Sequence, residues 1–352
     1  MNKEINYTGP SCPLPLDRYP KITSAHGGGG RLTRELVKKI FAEAFRESNP
    51  EIEHDSAILQ LNKGRLAFTT DSYVVDPLFF PGGDIGKLAV CGTVNDLAMA
   101  GAKPMYLSVA MIIEEGFETA LLWKIALSMQ SAASEANCRI VTGDTKTVQH
   151  GKGHGIYINT SGVGLVPDSI EIHPSQVRAG DAVIINGDIG RHGIAVLTAR
   201  EKLEFEDRIE SDCASLSGTI EALLDSGIEI HCLRDLTRGG LGAGLNEIAE
   251  SSGMGIVVEE NRIPIIPPIA GACEILGFDP IYIANEGRFI CFVPKASAEK
   301  TVAILKEKSP FKDPAIIGTV DAKAGGMVIM NTAIGSRRVI DMPSGEQFPR
   351  IC

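Results

Sequence analysis

The sequence predicts an α+β protein of two domains separated by a short polar break. Three observations carry that expectation. The chain has 352 residues, more than one hydrophobic core usually organises. Its first half mixes apolar runs of strand length with long helical periodicities, without the strict β-α alternation of a parallel sheet. Residues 167–180 hold two prolines in a polar stretch between periodic segments, which marks a boundary. The expected division is an N-terminal extension over 1–25, a first domain over 26–166, a second over 178–330 and a C-terminal segment over 331–352.

Residues 1–25 carry four prolines and little periodicity, so an extended lead is expected. Gly27–Gly30 follow, a glycine run that serves either as a linker or as a loop whose amides approach an anion. Thr33 is placed to cap a helix with Leu36, Val37, Ile40, Phe41, Ala44 and Phe45 on one face. A glycine loop entering a helix start suits phosphate. Residues 57–61 and 65–70 read as strands of a hairpin about Lys63-Gly64. Helical spacing runs over 84–100 and stops at Gly101-Ala102-Lys103-Pro104. A strand over 106–113, a helix over 119–137, a strand over 139–143 leading into Gly143-Asp144-Thr145-Lys146, and a strand over 156–166 complete the first domain.

The second domain opens with a strand over 182–186 and a glycine-punctuated turn, Asn186–Gly193. Helices near 213–226 and 239–252 flank Arg234-Asp235-Leu236-Thr237-Arg238-Gly239-Gly240. Strands over 255–259, 288–293 and 315–320 alternate with helices near 268–276 and 297–308. A hairpin-like stretch over 327–342 then leads into a terminal arm.

Composition narrows the function. The net charge is −10 with no basic cluster, which argues against a nucleic-acid partner. No apolar run is long enough to cross a membrane, and no signal peptide is evident. The eight cysteines are scattered without a C-x-x-C pair, so structural zinc and iron–sulfur ligation lack support. Cys91 and Cys291 sit in apolar runs and read as small buried hydrophobes. A cytoplasmic, reducing location is expected.

The chain ends on a thiol, Cys352. Pro349 holds Phe348 extended, and Pro343-Ser344-Gly345 suit a hinge. The end is either an idle terminus or a stiff arm with a nucleophile at its tip. Prenylation is excluded, because its cysteine stands fourth from the end. The adjacent terminal carboxylate disfavours the thiolate, so activation must come from elsewhere. Asp55, Asp71, Asp96, Asp144 and Asp235 lie near strand ends or beside small residues. Each is either a cap or turn residue or one ligand of a magnesium–nucleotide. His192 reads as structural.

Six stretches together resemble the HypE family of hydrogenase maturation factors, within the PurM-like superfamily of aminoimidazole ribonucleotide synthetase and selenophosphate synthetase. They are Thr69–Gly83, Asn95-Asp96-Leu97, Gly143–Val148, Arg234–Gly240, Ala284-Asn285-Glu286-Gly287 and the terminal Pro349-Arg350-Ile351-Cys352. They follow the family's order from about residue 26 to the end; the terminal four separate HypE from its relatives.

The resemblance implies a first domain with a dimer-forming sheet, a second domain built as an α/β sandwich, and a mobile tail. It implies ATP-dependent dehydration of a carbamoyl group on the sulfur of Cys352 to a thiocyanate, the cyanide source for [NiFe]-hydrogenase iron. A HypF-like carbamoyltransferase, a HypC–HypD iron scaffold and a homodimer are the implied partners. Cys352, Lys146 and Glu286 are the implied catalytic residues, the last two as a proton-relaying pair or, alternatively, an ion pair bracing the domains. ATP and Mg²⁺ fall to Asp55, Asp71, Asp96, Asp144, Asp235, Thr70, Asn95, Gly28, Gly29 and Gly30, with Asp71, Asp96, Asp144 and Asp235 on the metal. Arg350 would guide the tip. Two readings compete: a superfamily kinase or synthetase acting on a free small substrate, and an ATP-binding scaffold whose tail only docks.

Overall fold

The computed structural model describes residues 20–23, 36–45, 64–203, 205 and 207–342. The glycine run, Asp55, the expected strand over 57–61, the hinge and Cys352 lie outside them.

A π-helical turn at Val37–Phe41 runs into a short helix α1 (Ala42–Ala44). Leu36, Ile40, Ala44 and Phe45 are buried, as the apolar spacing requires. Then come β1 (Arg65–Tyr73), β2 (Phe79–Phe80), β3 (Gly83–Asp84), α2 (Ile85–Met99), β4 (Lys103–Glu114), α3 (Thr119–Glu135), β5 (Arg139–Val148) and β6 (Ile156–Val166). Asp84 caps α2, its Oδ1 accepting from the amides of Gly86 and Lys87 at 2.7 and 3.2 Å.

The sheet order is β1-β6-β4-β5, with β4 and β5 parallel. Strand alternation divides it into two faces. Ala67, Thr69, Asp71 and Tyr73 point toward the helices, and the Tyr73 hydroxyl lies 3.2 Å from Thr93 Oγ1 on α2. Leu66, Phe68, Thr70 and Ser72 point away. On that outer face Leu66, Phe68 and Ile112 are 55%, 70% and 42% exposed, uncovered by any described residue.

The second domain contains β7 (Ala182–Ile185), α4 (Arg191–Glu201), α5 (Ser217–Asp225), β8 (Cys232–Asp235), α6 (Gly240–Ser252), β9 (Gly255–Glu259), α7 (Pro267–Leu276), β10 (Phe289–Val293), α8 (Ala298–Lys308), β11 (Ala315–Asp321), β12 (Val328–Asn331) and β13 (Arg337–Val339). The sheet order is β13-β12-β9-β11-β7-β10-β8. Val183, Ile185, Ile290 and Phe292 pack toward Leu241, Leu245 and Ile248 of α6. Ala182, Ile184, Phe289 and Cys291 pack toward Ile220 and Leu223 of α5 and Leu305 of α8. Strands buried on both faces explain the continuous apolar runs.

Three expectations need correction. The strand expected to end at residue 143 continues to Val148, so Asp144 and Lys146 sit inside it rather than on a following loop. Continuous pairing with β4 overrides the turn signal of Gly143 and Asp144. Gly143 is required there because an added Cβ would collide with the Val109 carbonyl. The glycine turn at 186–193 is shorter than expected, because Arg191 already opens α4, a helix that its weak periodicity concealed. Helix α5 starts at Ser217, not 213, because Ser211–Leu216 are drawn into the domain junction.

Candidate active site

The site lies where the two domains meet. Strand β1 brings Asp71, helix α2 brings Asp96, strand β8 ends on Asp235, and the turn before β10 carries Glu286. Thr69 on the inner face of β1 donates its hydroxyl to Asp96 Oδ2 at 2.9 Å. Asp235 is 6% exposed. Its Oδ1 lies 3.3 Å from Arg234 Nη1 but makes no hydrogen bond.

The four carboxyl groups feel one another. Burial pushes Asp235 up to about 6, Asp96 and Asp71 add to the rise, and Arg234 opposes it. Asp96 is raised by burial, with Asp71 contributing and Thr69 opposing. Glu286 is half-buried. Burial raises it well above the ordinary range, and Asp235, Asp212 and Asp71 raise it further. Such a group of like charges, short of counterions, has an unmet demand for a cation. Among the described residues no cluster of His, Cys, Asp and Glu is tight enough to hold a metal alone.

The other expected site residues fall elsewhere. Asp144 and Lys146 lie 3.4 Å apart on the outer face of β5, with side chains 63% and 67% exposed. The register puts Asp144 in the row Ala110–Asn159–Ser72, whereas Asp71 pairs with Thr160, whose side chain bonds α2. Neighbouring rows face opposite ways. Within one chain, Asp144 and Lys146 are therefore separated from Asp71, Asp96 and Glu286 by the sheet itself. Thr70 shares that outer face, accepting from Ser161 Oγ at 2.9 Å and donating to the Thr160 carbonyl at 3.1 Å.

Asn95 is fully committed to protein. Its amide nitrogen donates to the carbonyls of Ala214 and Glu286 at 3.0 and 3.3 Å, and its oxygen accepts from the Leu216 amide at 2.7 Å. It joins the domains and has no polar atom left for a nucleotide.

Sequence reasoning missed the groups around Glu286. Asp212 Oδ1 and Oδ2 accept from the amides of Glu286 and Gly287 at 3.3 and 3.1 Å. Arg288, 1% exposed, pairs with Asp188, lies 3.6 Å from Asp212 and stacks on Phe311. His192 is fully buried; its Nδ1 is 2.8 Å from Ser211 Oγ, and its Nε2 has no partner. Burial pushes it down to about 4, so it is neutral. No sequence signal marked Asp212 or Arg288, whose burial is decided by the fold. All six described cysteines are free and buried, Cys91 and Cys291 among them.

A domain pair of this kind recurs among known proteins. Residues 53–166 match the AIR synthase related protein N-terminal domain, and residues 178–331 match the corresponding C-terminal domain. The chain belongs to this family of AIR-synthase-related proteins. Within it, the chain falls among the HypE carbamoyl dehydratases. It is 48% identical to carbamoyl dehydratase HypE of Rhodobacter capsulatus, covering 95% of this chain and 99% of that one. It is 42% identical to carbamoyl dehydratase HypE of Escherichia coli K12, covering 94% and 99%.

A crystal structure of hydrogenase maturation protein HypE in complex with ATP superposes with a TM-score of 0.89 at 43% identity, covering 94% and 99%. The crystal structure of a HypE–HypF complex matches with a TM-score of 0.77 at 46% identity, covering 89% and 100%. Thiamine monophosphate kinase of Aquifex aeolicus, at 20% identity and a TM-score of 0.56 over 78% and 90%, shares the fold.

Proposed function

We infer that this protein is a carbamoyl dehydratase of hydrogenase maturation, which uses ATP to convert an S-carbamoyl group on its own Cys352 into a thiocyanate. The observation that carries this reading is the full-length likeness to carbamoyl dehydratases, joined to an acidic junction with Glu286 at its floor. A passive scaffold gives no reason for a buried, strongly perturbed carboxyl.

The chemistry asks for three things. The carboxamide oxygen must attack the γ-phosphorus of ATP, so that oxygen leaves as phosphate. The nitrogen must lose two protons as the C≡N bond forms. Water must be kept away from the activated intermediate. Glu286 suits the proton-accepting role, because a carboxyl with raised proton affinity is the stronger base once ionised. Asp71, Asp96 and Asp235 would hold Mg²⁺, which supplies charge neutralisation at the transferred phosphoryl group. Arg238, whose charge acts on Asp96, would answer phosphate oxygens, while Arg234 stays paired with Glu247.

Lys146 and Asp144 enter this reading through a homodimer. The uncovered apolar face formed around Leu66, Phe68 and Ile112 supports one. In a homodimer formed on that face, Asp144 and Lys146 would lie at the interface between the two copies. A HypF-like carbamoyltransferase loads the cysteine, a HypC–HypD iron scaffold receives the cyano group, and the reactions take place in the cytoplasm. No helix among the described residues is long and apolar enough to cross a membrane. Gly28, Gly29, Gly30 and Asp55, assigned to the nucleotide by resemblance, lie outside the described residues, as does the Ser344-Gly345 pair.

The test is the intact mass of the C-terminal peptide after incubation with a HypF protein, carbamoyl phosphate and ATP. Gain of a carbamoyl group followed by loss of one water is the expected course. Steady ATP consumption with an unchanged peptide would move the assignment to a kinase acting on a free substrate.

A further inference from the structure

The segment Ser211–Leu216 lies at the domain junction and closes around the backbone of Glu286. At its start the Ser211 amide donates to the Pro81 carbonyl at 2.8 Å, and its hydroxyl meets His192. Next, the Asp212 carboxylate takes the amides of Glu286 and Gly287. Beyond it, the Ala214 amide approaches the Glu286 carbonyl at 3.5 Å, and Asn95 ties that same carbonyl to Ala214 and Leu216. Glu286 is thus held at its N–H by Asp212 from one side and at its C=O by Asn95 from the other domain. The approach is close: an added Cβ on Gly287 would collide with the Asp212 carbonyl oxygen, and one on Gly82 would lie 2.6 Å from the Ser211 carbonyl oxygen. Asp212 is itself anchored by Arg288, which is fixed by Asp188 and Phe311.

We propose that Asp212 is a positioning residue for the dehydration step, the buried end of a cross-domain clasp that fixes the Glu286 peptide and thereby aims its carboxyl into the acidic junction. The proposal rests on the assignment of Glu286 as the proton-accepting group. An interaction that only braced the fold would not need to grip both polar groups of the one residue whose carboxyl does chemistry. A carboxylate is also the acceptor type that takes two adjacent amides at once while answering a buried guanidinium. Asn95 and Asp212 come from different domains, so the aim of Glu286 depends on the domains being correctly seated.

The experiment compares Asp212→Asn, Glu286→Gln and the double variant in the full-length protein loaded with a carbamoyl group by a HypF protein. Single-turnover loss of water from the tail peptide is followed by mass, and the KM for ATP is measured separately. Asp212→Asn should slow dehydration on the order of 10- to 100-fold while the KM for ATP stays within about threefold. In the Glu286→Gln background the same change should cost little more, since both act through one group. Parallel losses in ATP affinity and dehydration, or additive losses in the double variant, would overturn the clasp and leave Asp212 a structural residue. Full dehydration by Glu286→Gln would instead remove the assignment on which the clasp rests. Should Asp212→Asn fail to fold, Asn95→Ser releases the other end of the same peptide and is expected to show the same split; unchanged dehydration in it overturns the proposal.

Discussion

Replacing Asp235 with asparagine should make the ligand-free protein more stable at neutral pH, although we place the residue in the proposed site. Asp235 is buried, and its Oδ1 has no hydrogen-bond donor. The rise of its pKa from 3.8 to about 6, at about 1.36 kcal/mol for each pH unit, corresponds to about 3 kcal/mol of destabilisation when the group is ionised. The sign follows from linkage. The folded form holds the proton more tightly than the unfolded form, so the cost is fully present above about pH 6 and is relieved as the pH falls toward 3.8. Asparagine has no charge to bury, and Arg234 retains Glu247 at 2.7 Å.

Urea denaturation without nucleotide or divalent metal should therefore give a gain of about 3 kcal/mol at pH 8, falling to roughly half at pH 5 and vanishing near pH 4. The same variant should lose Mg²⁺-dependent ATP turnover, the expected exchange of function for stability. A variant no more stable than the parent at pH 8, or a gain independent of pH, would refute the view that this junction stores uncompensated negative charge.

Three further outcomes are expected. His192, held at about 4 by burial, must gain a proton on unfolding below its ordinary 6.5, so it removes stability as the pH drops between those values, by about 3 kcal/mol in all. His192→Gln should flatten that acid limb in melts at pH 7 and 4.5, and an unaltered limb would show that the histidine is not the group responsible. Phe68→Asp places a charge on the uncovered face of the first sheet and should convert a dimer to monomers in sedimentation without shifting the urea midpoint of the monomer; an unchanged sedimentation coefficient would place the dimer contact elsewhere. Gly162→Ala puts a Cβ 2.8 Å from Thr93 and 3.0 Å from Leu97, so it should cost about 1–3 kcal/mol by overpacking, read as a lowered Tm with ATP affinity retained.

The sequence by itself determined part of the local structure. Alternation and apolar spacing placed α2, α3, β6, β9 and β11 close to their bounds, because periodicity is a property of consecutive residues and needs no partner. It also exposed the motif residues Asp71, Asp96, Asp235 and Glu286, and with them the family.

Only the tertiary structure decided which of those residues meet. Asp71 and Asp144 look equivalent in the sequence, yet one row of strand register sends them to opposite faces of one sheet. Lys146 and Glu286 form a tempting pair on paper, but within a single chain the lysine answers Asp144 instead. Asn95 resembles a ligand by its neighbour Asp96, while helix packing turns it into the domains and exhausts its hydrogen bonds. Asp212 carried no motif at all; its role comes from an approach so close that Gly287 has no room for a side chain. Register, burial and cross-domain contact arise between segments far apart in the chain, and no periodicity within either segment encodes them.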